Sequence, residues 1–333
     1  MLRNRSTAVV VIASAAGIAA LIALPYVLPG FMVSIAALVL IAAVLASSVN
    51  MLAGDAGLVS LGHAGIAGAA GYGLAWASRQ GWEPIGQLLL ALALTLLASA
   101  LYGLISMRTN GIFFLMITLA VGMICYGLAY RWSAVTGGDN GLVGIRRPEP
   151  IAESWQFYFL CVAVFVLVTI ALRVFSASPV GLVLRGIRDS ESRMISLGYR
   201  VTAYKFWAVL GSGVVAGIAG VLTVWQMEFI APSISDFQAS ALPLIMIVLG
   251  GVGSVLGPLI GATVVVLAEQ SLSTYFERWS LVLGLVFIAA VIFAPRGVVG
   301  AVTSLGRTIR DRRAARTRSD SAPTTPADSN DRI

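Results

Sequence analysis

Residues 6–54 contain no Asp, Glu, Lys or Arg, and this stretch restricts the fold more than any other feature of the chain. A charge at the centre of a membrane helix costs ~2.5–3.5 kcal/mol, and a span needs ~20 apolar residues to cross ~30 Å of hydrocarbon. The stretch is too long for one span, and Pro25, Pro29 and Gly30 divide it into segments near 7–28 and 31–53. The same reading gives further segments near 56–78, 84–107, 109–130, 154–175, 206–227, 237–250, 252–270 and 279–295. Composition agrees: 58% of residues are apolar and 11% charged, against ~25% charged in soluble domains. The expectation is an all-α polytopic membrane protein with about ten transmembrane segments, some short or broken.

Orientation follows from the arginines. Arg3 and Arg5 place residues 1–6 in the cytoplasm by the positive-inside rule. Alternation then puts 132–153 outside and the loop 176–204, with Arg185, Arg188, Arg193 and Arg200, inside. The tail 296–333 holds eight Arg and four Asp among Ser, Thr and Pro, and reads as basic, largely disordered and cytoplasmic, near anionic lipid rather than nucleic acid. For loop and tail both to lie inside, 237–250 must cross as a short or broken helix. Were it a re-entrant hairpin, the seven arginines from Arg296 to Arg318 would face outward; eight spans with two half-membrane elements is the alternative count. Arg3 and Arg5 before an apolar run also fit a signal peptide, but cleavage would spoil the alternation.

Counting removes several chemistries. His63 is the single histidine and Lys205 the single lysine, so there is no histidine-based metal site and no phosphate-cradling loop ending in lysine. Cys125 and Cys161 lie within apolar runs and form no framework. No serine occupies a nucleophile-elbow motif. The expectation is a protein that is not an enzyme, with no catalytic residue, no metal and no bound cofactor.

Two residue patterns remain. Small residues cluster at Gly62, Gly65, Gly68 and Gly71, and again at Gly253, Gly257 and Gly261, whose spacing gives two successive G-x-x-x-G steps. Such clusters let backbones pack closely in lipid, and short Gly-interrupted segments also mark transport pathways. Polar candidates for a pathway are Asn50, Ser60, His63 and Thr118, with Asp55 and Glu269 nearer segment ends. His63 falls about five residues into its segment, ~8 Å from the cytoplasmic end. A helix-end or interhelical hydrogen bond is the plainer role for it.

The loop Pro179–Lys205 is amphipathic: Leu184, Ile187, Met194 and Ile195 recur on one side, and Arg185, Arg188, Asp189, Ser192 and Arg193 on the other. A helix of this kind lies on lipid or docks into a partner, and Asp189 and Glu191 favour a protein partner.

In this loop Leu184-Arg185-Gly186-Ile187-Arg188-Asp189, Ser196-Leu197-Gly198-Tyr199 and Tyr204-Lys205, with Gly57–Gly65, Gly111–Leu119, Thr136-Gly137-Gly138, Leu249–Ser254, Gly257-Pro258 and Pro295–Gly300 in the same order, resemble the LivM-like permeases of branched-chain amino-acid ABC importers. The resemblance runs from about Asn50 to Gly300. It implies a multi-pass subunit of the cell membrane that pairs with a second, homologous permease, two cytoplasmic ATPase subunits and an extracytoplasmic substrate-binding protein. It also implies that residues 181–198 form a coupling helix on the ATPase, with Arg185, Ile187, Arg188, Asp189, Glu191 and Gly198 as its contacts. Ile187 and Leu197 would anchor that helix to the bundle. Met194, Asp139-Asn140 and Arg146 depart from the family pattern, and members of the family also carry amides and urea.

The function implied is import of branched-chain, hydrophobic amino acids, with ATP hydrolysed by separate subunits. A proton-coupled transporter of small solutes is the competing class, and needs a carboxylate at the membrane centre, whereas Asp55 and Glu269 sit toward segment ends. An intramembrane hydrolase needs a Ser–His pair, for which Ser60 beside His63 is the available partner.

Overall fold

The computed structural model describes residues 21–275, with a few isolated positions on either side. The expected terminus 1–6, the tail 296–333, nearly all of 279–295 and most of 7–28 lie outside the described residues; 21–27 is helical.

From there the chain runs through α1 (Gly30–Met51), which ends in a π-helical turn, Leu52–Ala56. It continues through α2 (His63–Arg79), α3 (Pro84–Ser106), α4 (Gly111–Arg131) and the one-turn α5 (Ser133–Thr136). A two-residue strand β1 (Leu142–Val143) precedes α6 (Ser154–Ala177). Then come α7 (Pro179–Asp189), α8 (Glu191–Ser196) and α9 (Val201–Met227). Strand β2 (Phe229–Ile230) pairs antiparallel with β1, and α10 (Phe237–Gly250) and α11 (Gly257–Tyr275) follow. The protein is an all-α polytopic membrane protein. Five of the described helices are long and apolar enough to cross a membrane: α1 with its π turn, α3, α4, α6 and α9; α10 is a shorter apolar helix.

Local chemistry sets the helix starts. Pro84 and Pro179 occupy first-turn positions, where the missing N–H costs nothing. Glu153 and Gln156 form a reciprocal capping box at α6. Asp236 accepts the Ala239 N–H at 2.6 Å to start α10.

Small residues set the packing. α9 lies against α1, α2 and α3. A Cβ at Gly213 would strike Ser99, one at Gly217 Thr95, and one at Gly220 the Ala67 carbonyl. No hydrophobic force joins helices in lipid, so such approaches do the joining. The central α1 and α9 are consequently largely buried, whereas α4 and α6 present wide apolar faces outward.

The two ends of the bundle are distinct. At one, the β-ribbon lies near Gln226, whose Nε2 donates to Ser34 Oγ at 2.7 Å. At the other, α7 packs on the π turn. The helix of α10 is only ~21 Å long at ~1.5 Å per residue. It begins beside α2, where Ser235 Oγ donates to the Ala64 carbonyl at 3.4 Å, and it ends at the α7 end of the bundle.

Three expected boundaries change. The segment placed at 56–78 is helical only from His63, because Gly57 adopts φ +68° and stops the π turn. The segment placed at 206–227 begins at Val201, so that Lys205 lies inside a helix. The segment placed at 252–270 becomes α11 from Gly257, so Gly253 lies in a turn at φ +77° and the first of the two expected helical glycine steps does not form.

Candidate functional site

Between Gly57 and His63 the chain climbs into the bundle without helical geometry. The Leu61 N–H donates to Thr118 Oγ1 at 3.2 Å, and Thr118 stands seven residues, ~10 Å, along α4. His63 contacts Ser212 at 3.1 Å through Nε2, and Ser212 stands eleven residues, ~16 Å, along α9. His63 therefore lies deeper than the ~8 Å expected from a helix starting at residue 56. Its Nδ1 lies 3.1 Å from Ser60 Oγ, which also accepts the Gly62 N–H at 3.2 Å. Irregular backbone is tolerated at membrane depth only where protein or a cavity satisfies it. Thr118 and Ser60 supply those partners, and His63 links Ser60 to Ser212, the member that the sequence did not single out.

Tyr102 wedges against this strand. It is fully buried, and a Cβ at Gly62 or Gly65 would overlap its ring or hydroxyl. Nothing distinguishes it in sequence from other aromatic residues of apolar runs.

Asn50 is engaged elsewhere. Its Nδ2 donates to the Ser254 carbonyl at 3.0 Å and its Oδ1 accepts the Gly253 N–H at 2.8 Å. These bonds pin the turn between α10 and α11 to the end of α1, where Gly253 also packs on Gly54. A Cβ at Gly257 would meet the Gly251 carbonyl at 2.5 Å, and one at Gly261 would overlap the Met246 backbone. These two glycines thus close the α10–α11 hairpin on itself.

The loop 176–204 is not one helix over 181–198. Ser190, extended at φ −164° and ψ 99°, separates α7 from α8. Leu184, Ile187 and Met194 are buried. Leu197, expected to anchor the helix, is 66% exposed, because the break at Ser190 and the left-handed Gly198 (φ +86°) turn that end outward.

Polar ties hold the loop at both ends. Arg185 Nη1 donates to Asp55 Oδ1 at 2.9 Å and to the Ser176 carbonyl at 2.7 Å. Arg188 Nη1 donates to the Gly54 carbonyl at 2.5 Å, its stem lying over Gly57. At the far end the buried Lys205 ammonium donates to both Glu191 carboxylate oxygens at 2.9 Å and to Asn110 Oδ1. A buried charge needs such a partner, and removing one member of a buried pair costs ~3–5 kcal/mol. Arg185, Arg188 and Glu191 thus face the bundle. Asp189, at 69% side-chain exposure, together with the exposed Arg193, Ile195 and Leu197, faces away. Lys205 and Asn110 were missed because a lone charge beside an apolar run reads as a boundary; Glu191, one loop earlier, was the signal of a pair.

A cleft of about 560 Å³ opens at this end between α1, α6, α7 and the α10–α11 turn, lined by Asn50, Asp55, Arg173, Arg185 and Arg188 among others. The opposite end carries the loop 132–153, where Gly137, Gly138, Gly141 and Gly144 all have positive φ. Arg147 caps the end of α9 there, donating to the Trp225 carbonyl at 2.5 Å and lying 4.4 Å from the Phe157 ring centroid.

A family model described as the permease component of the branched-chain amino acid transport system matches residues 31–291. The high-affinity branched-chain amino acid transport system permease protein LivM of Salmonella typhimurium is 26% identical over 308 residues, covering 84% of this chain and 72% of its own. The protein of the same name from Escherichia coli is 26% identical over 311 residues, with the same coverage of 84% and 72%.

Proposed function

The chain belongs to the permease-component family of branched-chain amino acid transport systems, and on that premise we propose that it is the membrane-spanning subunit of an ABC importer that brings branched-chain, hydrophobic amino acids into the cell. The observation that carries the mechanism is the loop α7–α8: tied to the bundle at both ends, it leaves Asp189, Arg193, Ile195 and Leu197 uncovered. A separate ATPase docks on that uncovered side, in the cytoplasm. Its movement reaches the π turn through Arg185–Asp55 and reaches α4 and α9 through Glu191, Asn110 and Lys205. A displacement of the loop is in this way converted into relative motion of the helices around the 57–62 strand. The second permease packs along outward apolar faces of this bundle, and the extracytoplasmic binding protein delivers its cargo at the 132–153 end, with both chain termini in the cytoplasm.

The test uses membrane vesicles holding the whole transporter. Reversing Asp189 to Lys and Arg193 to Glu keeps the Arg185–Asp55 and Lys205–Glu191 ties, so expression and membrane insertion should match the wild type. ATP-driven leucine uptake and transport-stimulated ATP hydrolysis should fall together by about tenfold, equivalent to ~1.4 kcal/mol of docking. Should no ATPase co-purify with the wild type, and uptake follow the proton gradient alone, the chain is a proton-coupled transporter instead. Uptake of amides or urea in preference to leucine would move the cargo and leave the mechanism standing.

A further inference from the structure

We propose that the cleft at the root of α7 binds the phosphate headgroup of an anionic glycerophospholipid, whose acyl chain lies along α6. The cleft gathers Arg173, Arg185 and Arg188 around a single carboxylate, Asp55, which leaves it net positive. Arg185 is occupied by Asp55 and Ser176, and Arg188 by Gly54 and Asp189. Arg173 is exposed and has no hydrogen-bond or ion-pair partner among the described residues. It stands one turn from the end of α6, at the edge where helix meets headgroup.

The apolar half of the ligand has its own track. Phe159, Val166 and Arg173 are spaced by seven residues and share one stripe of α6. A shallow furrow runs beside that stripe, lined by Ile22, Phe159, Val166, Leu167 and Ile170. Leu167 and Ile170 are 66% and 58% exposed. From Arg173 to Phe159 the helix rises ~21 Å, more than the ~15 Å that one leaflet contributes to a ~30 Å core. Cationic head and apolar track are therefore collinear on one helix. A free phosphate satisfies only the first, a diacylglycerol only the second, and phosphatidylcholine brings a quaternary ammonium beside its phosphate that the arginines repel. Basic pockets between membrane helices hold anionic headgroups by this chemistry.

The inference is independent of what the protein transports. The test is native mass spectrometry of the purified chain after equilibration in mixed micelles of phosphatidylglycerol and phosphatidylcholine with identical acyl chains. The wild type should retain phosphatidylglycerol preferentially. Arg173→Gln should lower that retention about fivefold, the equivalent of ~1 kcal/mol for one surface arginine, while Arg173→Lys keeps most of it. Excess inorganic phosphate should leave the bound lipid in place. An unchanged preference in Arg173→Gln overturns the site, and so does displacement by inorganic phosphate, which would make the cleft a small-anion site.

Discussion

Helical geometry breaks inside the bundle at 57–62 and at its α7 end at 251–256, and the two breaks are satisfied by opposite means. At the first, side chains do the work: Ser60, His63, Thr118 and Ser212 converge on a strand whose own N–H groups have left the helix. At the second, backbone meets backbone. Gly251 (φ +111°) and Gly253 (φ +77°) make the turn, the Ser254 N–H returns to the Gly251 carbonyl at 3.2 Å, and Gly54 packs directly on Gly253. Asn50 alone reaches into it from α1. In both, backbone N–H groups are held by partners within the protein, because lipid offers none. They differ in what a mutation can take away: a hydrogen bond from the first, a close approach from the second.

That difference orders the expected damage. Gly257→Leu should be the most destructive change, because the new side chain is driven into the Gly251 carbonyl and the Ser254 hydroxyl. A cost of ~3 kcal/mol, at the upper end of overpacking, should appear as loss of monodisperse protein and a lowered thermal midpoint in detergent. His63→Ala comes next, at ~1–2 kcal/mol, since it removes two hydrogen bonds in a site where Ser60 and Ser212 each keep another partner. If His63→Ala proves worse than Gly257→Leu, the side-chain network carries more of the fold than the glycine turn, and the comparison inverts. Asn50→Ala should be mildest, at ~0.5–1 kcal/mol, because the turn it pins keeps its own backbone bond and its packing on Gly54. A thermal midpoint for Asn50→Ala as low as that of Gly257→Leu would mean that the glycine turn does not stand without its side-chain pin.

The sequence made the class and most of the helices legible for a simple reason: a lipid-spanning helix must be apolar along its whole length, and that requirement is local. The expected spans at 31–53, 84–107, 109–130 and 154–175 each meet a helix within two residues at either end. Failures came where a polar group was satisfied from a distance. Lys205 looked like the edge of a span because its partner Glu191 lies in another helix. Residues 57–62 looked helical because nothing local announces that Thr118 waits for the Leu61 N–H. Among the polar candidates, spacing along the chain carried no sign that Asn50 would separate from Ser60, His63 and Thr118. The break at Ser190 was hidden for a related reason: amphipathic spacing continues across it, and only the backbone turns.

Lys205 has a consequence for chemical labelling. It is the single lysine of the chain, and its ammonium is enclosed by Glu191 and Asn110. An acylating reagent therefore meets only one ε-amine in this protein, and meets it enclosed and out of reach. The acylation rate of Lys205 becomes a clock for the opening of the joint between α8 and α9, built into the native protein and readable without any introduced reporter.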